Sequence, residues 1–343
     1  MFKNLTRSVR GLTSRALTHY NYATSSSSSS SGSGSGSSSS SGSATNSTGD
    51  QFVAVTKATE GWLQKLQDAG VPDTEFNVKC IVSHVLKRKF NTVPDNFAQL
   101  QFDAQQLADF ERFLEARCAR MPLQHIIGEW DFLDITLKTA PTVFIPRPET
   151  EEFVRLVIES YKHAKHVNML EVGCGSGAMS LSMLHALPQV EATAIERSKA
   201  ATVLAVENAK LLGLQHRFQV HNHTMVADQY MPEPLKEKKY DLIISNPPYV
   251  KTDEFQFLHP EVVVYENLNA LDGGSDGLRV ARVVFDLACR HLHSGGKLWL
   301  ELGNEHPPMV KTIMHLKYEG RLNFVGSYCD QYKRERFVQI EKV

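Results

Sequence analysis

Between Phe52 and Cys118 apolar side chains return at intervals of three and four residues, the spacing that gathers them on one face of a helix. Phe52, Val55, Ala58, Trp62, Leu63 and Leu66 make one such series, which stops at Gly70-Val71-Pro72. Phe76, Cys80, Ile81, His84 and Val85 make a second. A third opens at Asp103 with Gln106 three residues on, a capping-box pattern, and runs through Leu107, Phe110, Phe113, Leu114 and Cys118. Residues 51–120 are therefore expected to form a small helical bundle. Across 121–146 the period shortens. Phe132, Ile135, Leu137, Val143 and Ile145, interrupted by Gly128, Asp134 and Pro141, predict a β-hairpin connecting the bundle to the carboxyl-terminal part of the chain.

From 147 to 343 short apolar runs alternate with helical patterns. Pro148 and the carboxylates after it suit the first turn of a helix whose apolar face is Phe153, Leu156, Val157 and Tyr161. Residues 167–172, 191–195, 242–244, 324–329 and 336–340 read as strands, as does the run inside Gly295–Gly303, while 178–187 and 280–291 read as helices. The charges of the last two strands read as a solvated face. This alternation predicts an α/β domain on an open sheet, a fold that keeps its ligands at the carboxyl ends of its strands.

Composition changes the picture mainly at the amino terminus. Residues 1–24 contain Lys3, Arg7, Arg10 and Arg15 but no acid, and Phe2, Leu5, Val9, Leu12 and Leu17 share one side of a helix. That is the composition of a mitochondrial transit peptide, and the matrix is the expected location. Residues 25–50 are almost entirely Ser and Gly, a linker with nothing to bury. The formal charge of -1 hides an asymmetry: beyond residue 49, 33 basic residues face 38 acidic ones. A mildly acidic body is poorly suited to gripping a phosphate backbone, so no direct nucleic-acid partner is expected. No apolar run is long enough to span a bilayer, and no membrane partner is expected. Five scattered cysteines without a CxxC fit a reducing compartment and no metal site.

The chemistry concentrates in two loops. Asn246-Pro247-Pro248-Tyr249 ends a strand with two residues that cannot donate to a ladder. Asn246 and the Pro247 carbonyl offer acceptors and Tyr249 a flat ring, a set that can hold a planar NH2 group. Gly173-Cys174-Gly175-Ser176-Gly177 follows another strand and opens a helix, and Glu196 ends the next strand. Glycines there admit a ligand to the backbone, and the acid can accept from both hydroxyls of a ribose. The loop also satisfies a dinucleotide pattern. Glu171, however, would face a pyrophosphate, whereas it could accept from the ammonium of S-adenosyl-L-methionine. His221-Asn222-His223 has no third ligand at metal spacing and reads as a solvated strand end. The Gly/Asp cluster Leu271–Leu278 is placed to line the cleft. Arg147, held between two prolines, is left without a structural explanation and joins the cofactor candidates.

Taken in order, IPRPETE, EVGCGSG, Glu196, DLIISNPPYV, NALDGGSDGL and GGKLWLELG resemble the HemK-type glutamine methyltransferases, which modify the glutamine of the GGQ motif in peptide chain release factors. The likeness spans roughly residues 60–343. It implies a seven-stranded class I methyltransferase domain over 147–343, a helical N-terminal domain that helps hold the release factor, and methyl transfer from S-adenosyl-L-methionine to the side-chain amide nitrogen. By position it implies cofactor contacts from Glu171, Val172, Gly173, Cys174, Gly175 and Glu196, with Asn246 to Tyr249 meeting the methionine end as well; Arg147, Gly177 and Thr224 join them as cofactor candidates. Asn246, Pro247, Pro248 and Tyr249 would hold the target amide. The chain departs from many relatives at His223-Thr224, at Glu266-Asn267 and at His306. An adenine N6-methyltransferase and a non-catalytic scaffold for a release factor or ribosomal protein are the competing readings. A monomer is expected.

Overall fold

A computed structural model describes residues 52–225 and 231–343; the basic leader and the Ser/Gly linker lie outside them. The chain divides into two compact units, with the boundary between Arg120 and Met121.

In the first unit, the series starting at Phe52 is not one helix. Val53–Ala54 pairs antiparallel with Gln101–Phe102, and helices follow at Val55–Ala58 and Trp62–Asp68. The first stops at Ala58, and Gly61, at a left-handed φ of 76°, caps the start of the second. Phe52 is consequently exposed, while Val55 and Leu66 are buried. Helices Thr74–Val85 and Ala104–Cys118 complete the bundle. Both capping-box bonds form at Asp103: its carboxylate accepts from Gln106 N at 2.7 Å, and Gln106 Oε1 accepts from Asp103 N at 3.0 Å.

The second unit opens with a short helix, Leu123–Ile127, and the antiparallel hairpin Glu129–Phe132 with Ile135–Lys138. Its centre is a seven-stranded sheet: β1 Val167–Val172, β2 Val190–Glu196, β3 Phe218–Asn222, β4 Tyr240–Ser245, β5 Leu292–Glu301, β6 Leu322–Cys329 and β7 Glu335–Lys342. Their spatial order is β6-β7-β5-β4-β1-β2-β3, with β7 antiparallel to both its neighbours and the other pairings parallel. Alternate side chains enter opposite cores. Met169, Leu242 and Ile244 pack on one face with Phe153 and Leu181, joined by Phe132, Ile135 and Leu137 of the hairpin. Leu170 and Ile243 pack on the other with Phe285, Val310 and Met314. With both faces covered, only the carboxyl ends of the parallel strands are open for chemistry.

Candidate active site

Register brings the two loops together. β1 lies beside β4 with Glu171 opposite Ile244 and Val172 opposite Ser245, so the glycine loop and the Asn246–Tyr249 loop leave the sheet side by side. Between them lies a cavity of about 540 Å³, lined by Arg147, Glu171 to Ser176, Glu196, Thr224, Asn246 to Tyr249 and Leu271, among others. Of the site residues anticipated from sequence, only Gly177 does not line it. It closes the turn instead: a Cβ there would stand 3.0 Å from Leu181 Cδ1, and the φ of 86° is one that side-chain-bearing residues rarely adopt.

Three observations fit a ligand with an ammonium at one end and a ribose diol at the other. First, a Cβ added at Gly173 or Gly175 would meet nothing within 4 Å, which leaves the backbone open to a ligand's approach. Second, Glu171 is fully buried; its Oε2 accepts from Ser180 N at 3.0 Å and from the Ser180 hydroxyl, but Oε1 has no partner. Burial pushes this carboxyl up to about 8 despite the Ser180 bonds. An incoming ammonium would supply both the missing partner and the missing charge. Third, Glu196 is held in place by two backbone amides. Oε2 accepts from Gly175 N at 3.0 Å and Oε1 from Ser198 N at 2.7 Å, and each oxygen keeps a lone pair for a hydroxyl.

Across from the glycine loop, Asn246 Nδ2 donates to Thr150 Oγ1 at 3.3 Å, an orientation in which Oδ1 is free to accept. The half-buried Tyr249 phenol accepts from Arg336 Nη2 at 2.7 Å and is pushed up to about 12 by burial, so it stays neutral. Arg336 therefore does not belong to a solvated face: from β7 it supports the loop after β4. Glu301, at the end of β5, is also buried, and its Oε1 is 3.8 Å from Arg336 Nη2. Thr150, Arg336 and Glu301 escaped the sequence reading. The one available signal was a charged residue at the end of an apolar strand, which GGKLWLELG does contain.

Arg147 lines the cavity and makes an ion pair with Glu266, whose side chain is 2% exposed; its guanidinium also lies over the Phe144 ring. Asn222 of the His-Asn-His run donates to the Glu196 and Arg197 carbonyls at 2.9 and 3.1 Å, tying β3 to the end of β2. Among the described residues no cluster of metal-ligating side chains occurs. His306 is buried, with Nδ1 accepting from Gly303 N at 3.1 Å and Nε2 3.1 Å from the Asp276 carbonyl; it braces the turn under the loop.

Known proteins sharpen this picture. Residues 134–274 match the family model described as methyltransferase small domain, and residues 57–128 match the PrmC N-terminal domain. The human MTRF1L release factor glutamine methyltransferase is 37% identical over 289 residues, 82% of this chain and 85% of that protein. Release factor glutamine methyltransferases of Fusobacterium nucleatum and Deinococcus radiodurans are 32% and 34% identical, over 82% and 81% of this chain and 80% and 95% of theirs. Likeness of that extent, running through both units and both loops, leaves one conclusion: the chain belongs to the S-adenosyl-L-methionine-dependent release factor glutamine methyltransferases.

Proposed function

We propose that this protein methylates the side-chain N5 of the glutamine in the GGQ motif of peptide chain release factors, and that Asn246 to Tyr249 hold that amide. When bound, S-adenosyl-L-methionine supplies an electrophilic methyl group on a sulfonium. An amide nitrogen is a poor nucleophile because its lone pair is delocalised into the carbonyl, so the residues contribute position and electrostatics. Asn246 Oδ1 and the Pro247 carbonyl accept the two amide hydrogens, and Pro248 and Tyr249 fix the plane of the group. As the N–C bond forms and the S–C bond breaks, positive charge develops on nitrogen beside two carbonyl dipoles. The nitrogen then loses a proton to solvent. Glu171 and Glu196 hold the ammonium and ribose ends, with Val172, Gly173, Cys174 and Gly175 as the floor. Arg147 and Thr224 line the same cavity.

The observation that carries this reading is that Asn246 to Tyr249 line the same cavity as Glu171 and Glu196, so an amide slot and the anchors for a methyl donor share one space. Purified protein with labelled S-adenosyl-L-methionine tests it, using a GGQ release factor, its GGA variant or DNA as acceptor. Label on the GGQ protein alone supports the reading; label on DNA, or equal label on the GGA variant, overturns it. Asn246→Ala is expected to lower turnover by at least ~100-fold with cofactor affinity nearly unchanged. A mitochondrial matrix location is supported by the acid-free leader, and fluorescence of full-length and leaderless fusions tests it. A monomeric enzyme is the simplest arrangement for a protein substrate, and light scattering tests it.

A further inference from the structure

Beneath the amide-holding loop lies a buried polar cluster with unused bonding capacity. Parallel pairing sets Leu300 of β5 opposite Ser245 of β4, so the next residue out, Glu301, stands beside Asn246. Antiparallel pairing sets the same Glu301 opposite Phe337 of β7, next to Arg336. The carboxyl is 1% exposed and does not line the cavity; neither oxygen makes a well-formed hydrogen bond, although Thr150 and Asn246 lie close enough to donate. Arg336 Nε is likewise buried without one. The polar groups facing the carboxyl are Thr150 and Asn246, with Arg336 as the neighbouring cation and Glu149 as the neighbouring anion. Buried bonding capacity of this kind is costly, and it collects where a structure serves chemistry.

We propose that Glu301 is the positioning residue that fixes which way the Asn246 amide points. The inference rests on the N5-glutamine reading of the site. A side-chain amide has two nearly isosteric ends, and the site works only with Oδ1 toward the cavity. An ionised carboxylate can only accept, so it selects the orientation in which Asn246 Nδ2 and the Thr150 hydroxyl turn toward it. Arg336 favours its ionised form while also holding Tyr249, so one cation supports both walls of the amide slot. Protonation of Glu301 would supply an O–H donor and permit the reversed amide, which presents Nδ2 to the substrate NH2 and repels it. Burial raises this carboxyl to about 7 against the pull of Thr150, Arg336 and Asn246, which puts the change within a measurable pH range.

The test is Glu301→Gln, which keeps the shape of the side chain and removes the acceptor-only character. With a GGQ release factor as substrate, kcat is expected to fall ~30-fold or more. KM for the release factor and S-adenosylhomocysteine affinity by calorimetry should both stay within about three-fold. The wild-type kcat should rise with pH through the region near 7, and the variant should show no such limb. Thr150→Val supplies a second variant and should lower kcat with the same sparing of cofactor binding. A Glu301→Gln enzyme with wild-type kcat, or one that loses S-adenosylhomocysteine binding in step with kcat, overturns the inference; so does an unaltered pH limb. If the wild-type protein labels no GGQ acceptor, the functional reading fails instead, and the two failures are told apart.

Discussion

Arg336 Nη2 donates to the Tyr249 hydroxyl at 2.7 Å across 87 residues of chain, so the last strand of the sheet supports the loop that follows the fourth. The guanidinium also lies over the Tyr249 ring, 5.5 Å from its centroid. Arg336→Met is expected to cost more than the hydrogen bond. It strands the phenol and removes the cation beside buried Glu301, and one uncompensated buried group is worth about 1–3 kcal/mol. The expected result is a kcat lower by roughly 10- to 50-fold together with a lower melting temperature. Tyr249→Phe removes one bond and leaves the Arg336–Glu301 pair, so it should fall between wild type and Arg336→Met in both assays. Equal effects would show that the phenol, and not the cation, carries the support.

Glu171 makes stability fall as pH rises. Its carboxyl is held near 8 in the folded protein, whereas an unfolded chain titrates it near the ordinary glutamate range. Between those limits the folded state binds the extra proton, so raising the pH favours unfolding. One such group is worth about 3 kcal/mol between pH 5.5 and 8. Thermal denaturation of the ligand-free protein should show the decline, and Glu171→Gln should flatten most of it, with Glu301 leaving a smaller slope of the same sign. Binding should run the other way. An ammonium requires the ionised carboxylate, so S-adenosylhomocysteine affinity should rise with pH from 6 to 8 in the wild type and stay level in Glu171→Gln.

The Arg147–Glu266 pair at the cavity is expected to be asymmetric. Glu266 is buried and its Oε2 has no partner, whereas Arg147 is about one-third exposed. Removing the arginine leaves an unpaired buried carboxylate, a loss of about 3 kcal/mol at most. Removing the carboxylate leaves a cation that can reach water and still rest on Phe144. Chemical denaturation should therefore rank Arg147→Met well below Glu266→Gln, with the double variant recovering much of the loss. Simple additivity of the two single effects would argue that the contact contributes nothing.

What could be read from sequence here was local. The capping box at Asp103, Pro148 opening its helix and the glycine turn after VNMLEV each lie within a few residues of what they control. Apolar alternation located the strands because each face of the sheet meets its own core. The helix break before Trp62 is hidden in the sequence because apolar spacing continues straight through it, from a first helix that stops at Ala58 to a second that starts after left-handed Gly61. Thr150, Glu301 and Arg336 could not be read because three different elements deliver them to Asn246 and Tyr249. The pairing of β5 with β4 and β7 makes them neighbours, and that register is not written near any of them. Arg147 was visible as an oddity between prolines, but its partner is 119 residues away.

Gly277 sits where the Leu271–Leu278 cluster passes under the amide-holding loop. A Cβ there would lie 2.6 Å from the Tyr249 carbonyl oxygen and 2.5 Å from His306 Nε2, and its φ is 73°. Both faults act at once in Gly277→Ala. The left-handed backbone costs about 1 kcal/mol for a residue with a side chain, and the overlap costs a further 1–3 kcal/mol of local displacement. The helix Arg279–His291 starts directly after this turn, and His306 is buried on a helix of its own, so neither yields readily. The Tyr249 backbone is the remaining element that can move, and it carries one wall of the amide slot. Gly277→Ala should therefore lower kcat by about 10-fold or more while S-adenosylhomocysteine, whose proposed contacts Glu171 and Glu196 lie on other strands, still binds within a few-fold. Gly213→Ala has a similar φ, 69°, but open space around its Cβ, and serves as the control for backbone strain alone. Equal losses of activity in the two variants would remove the contact with Tyr249 as the cause.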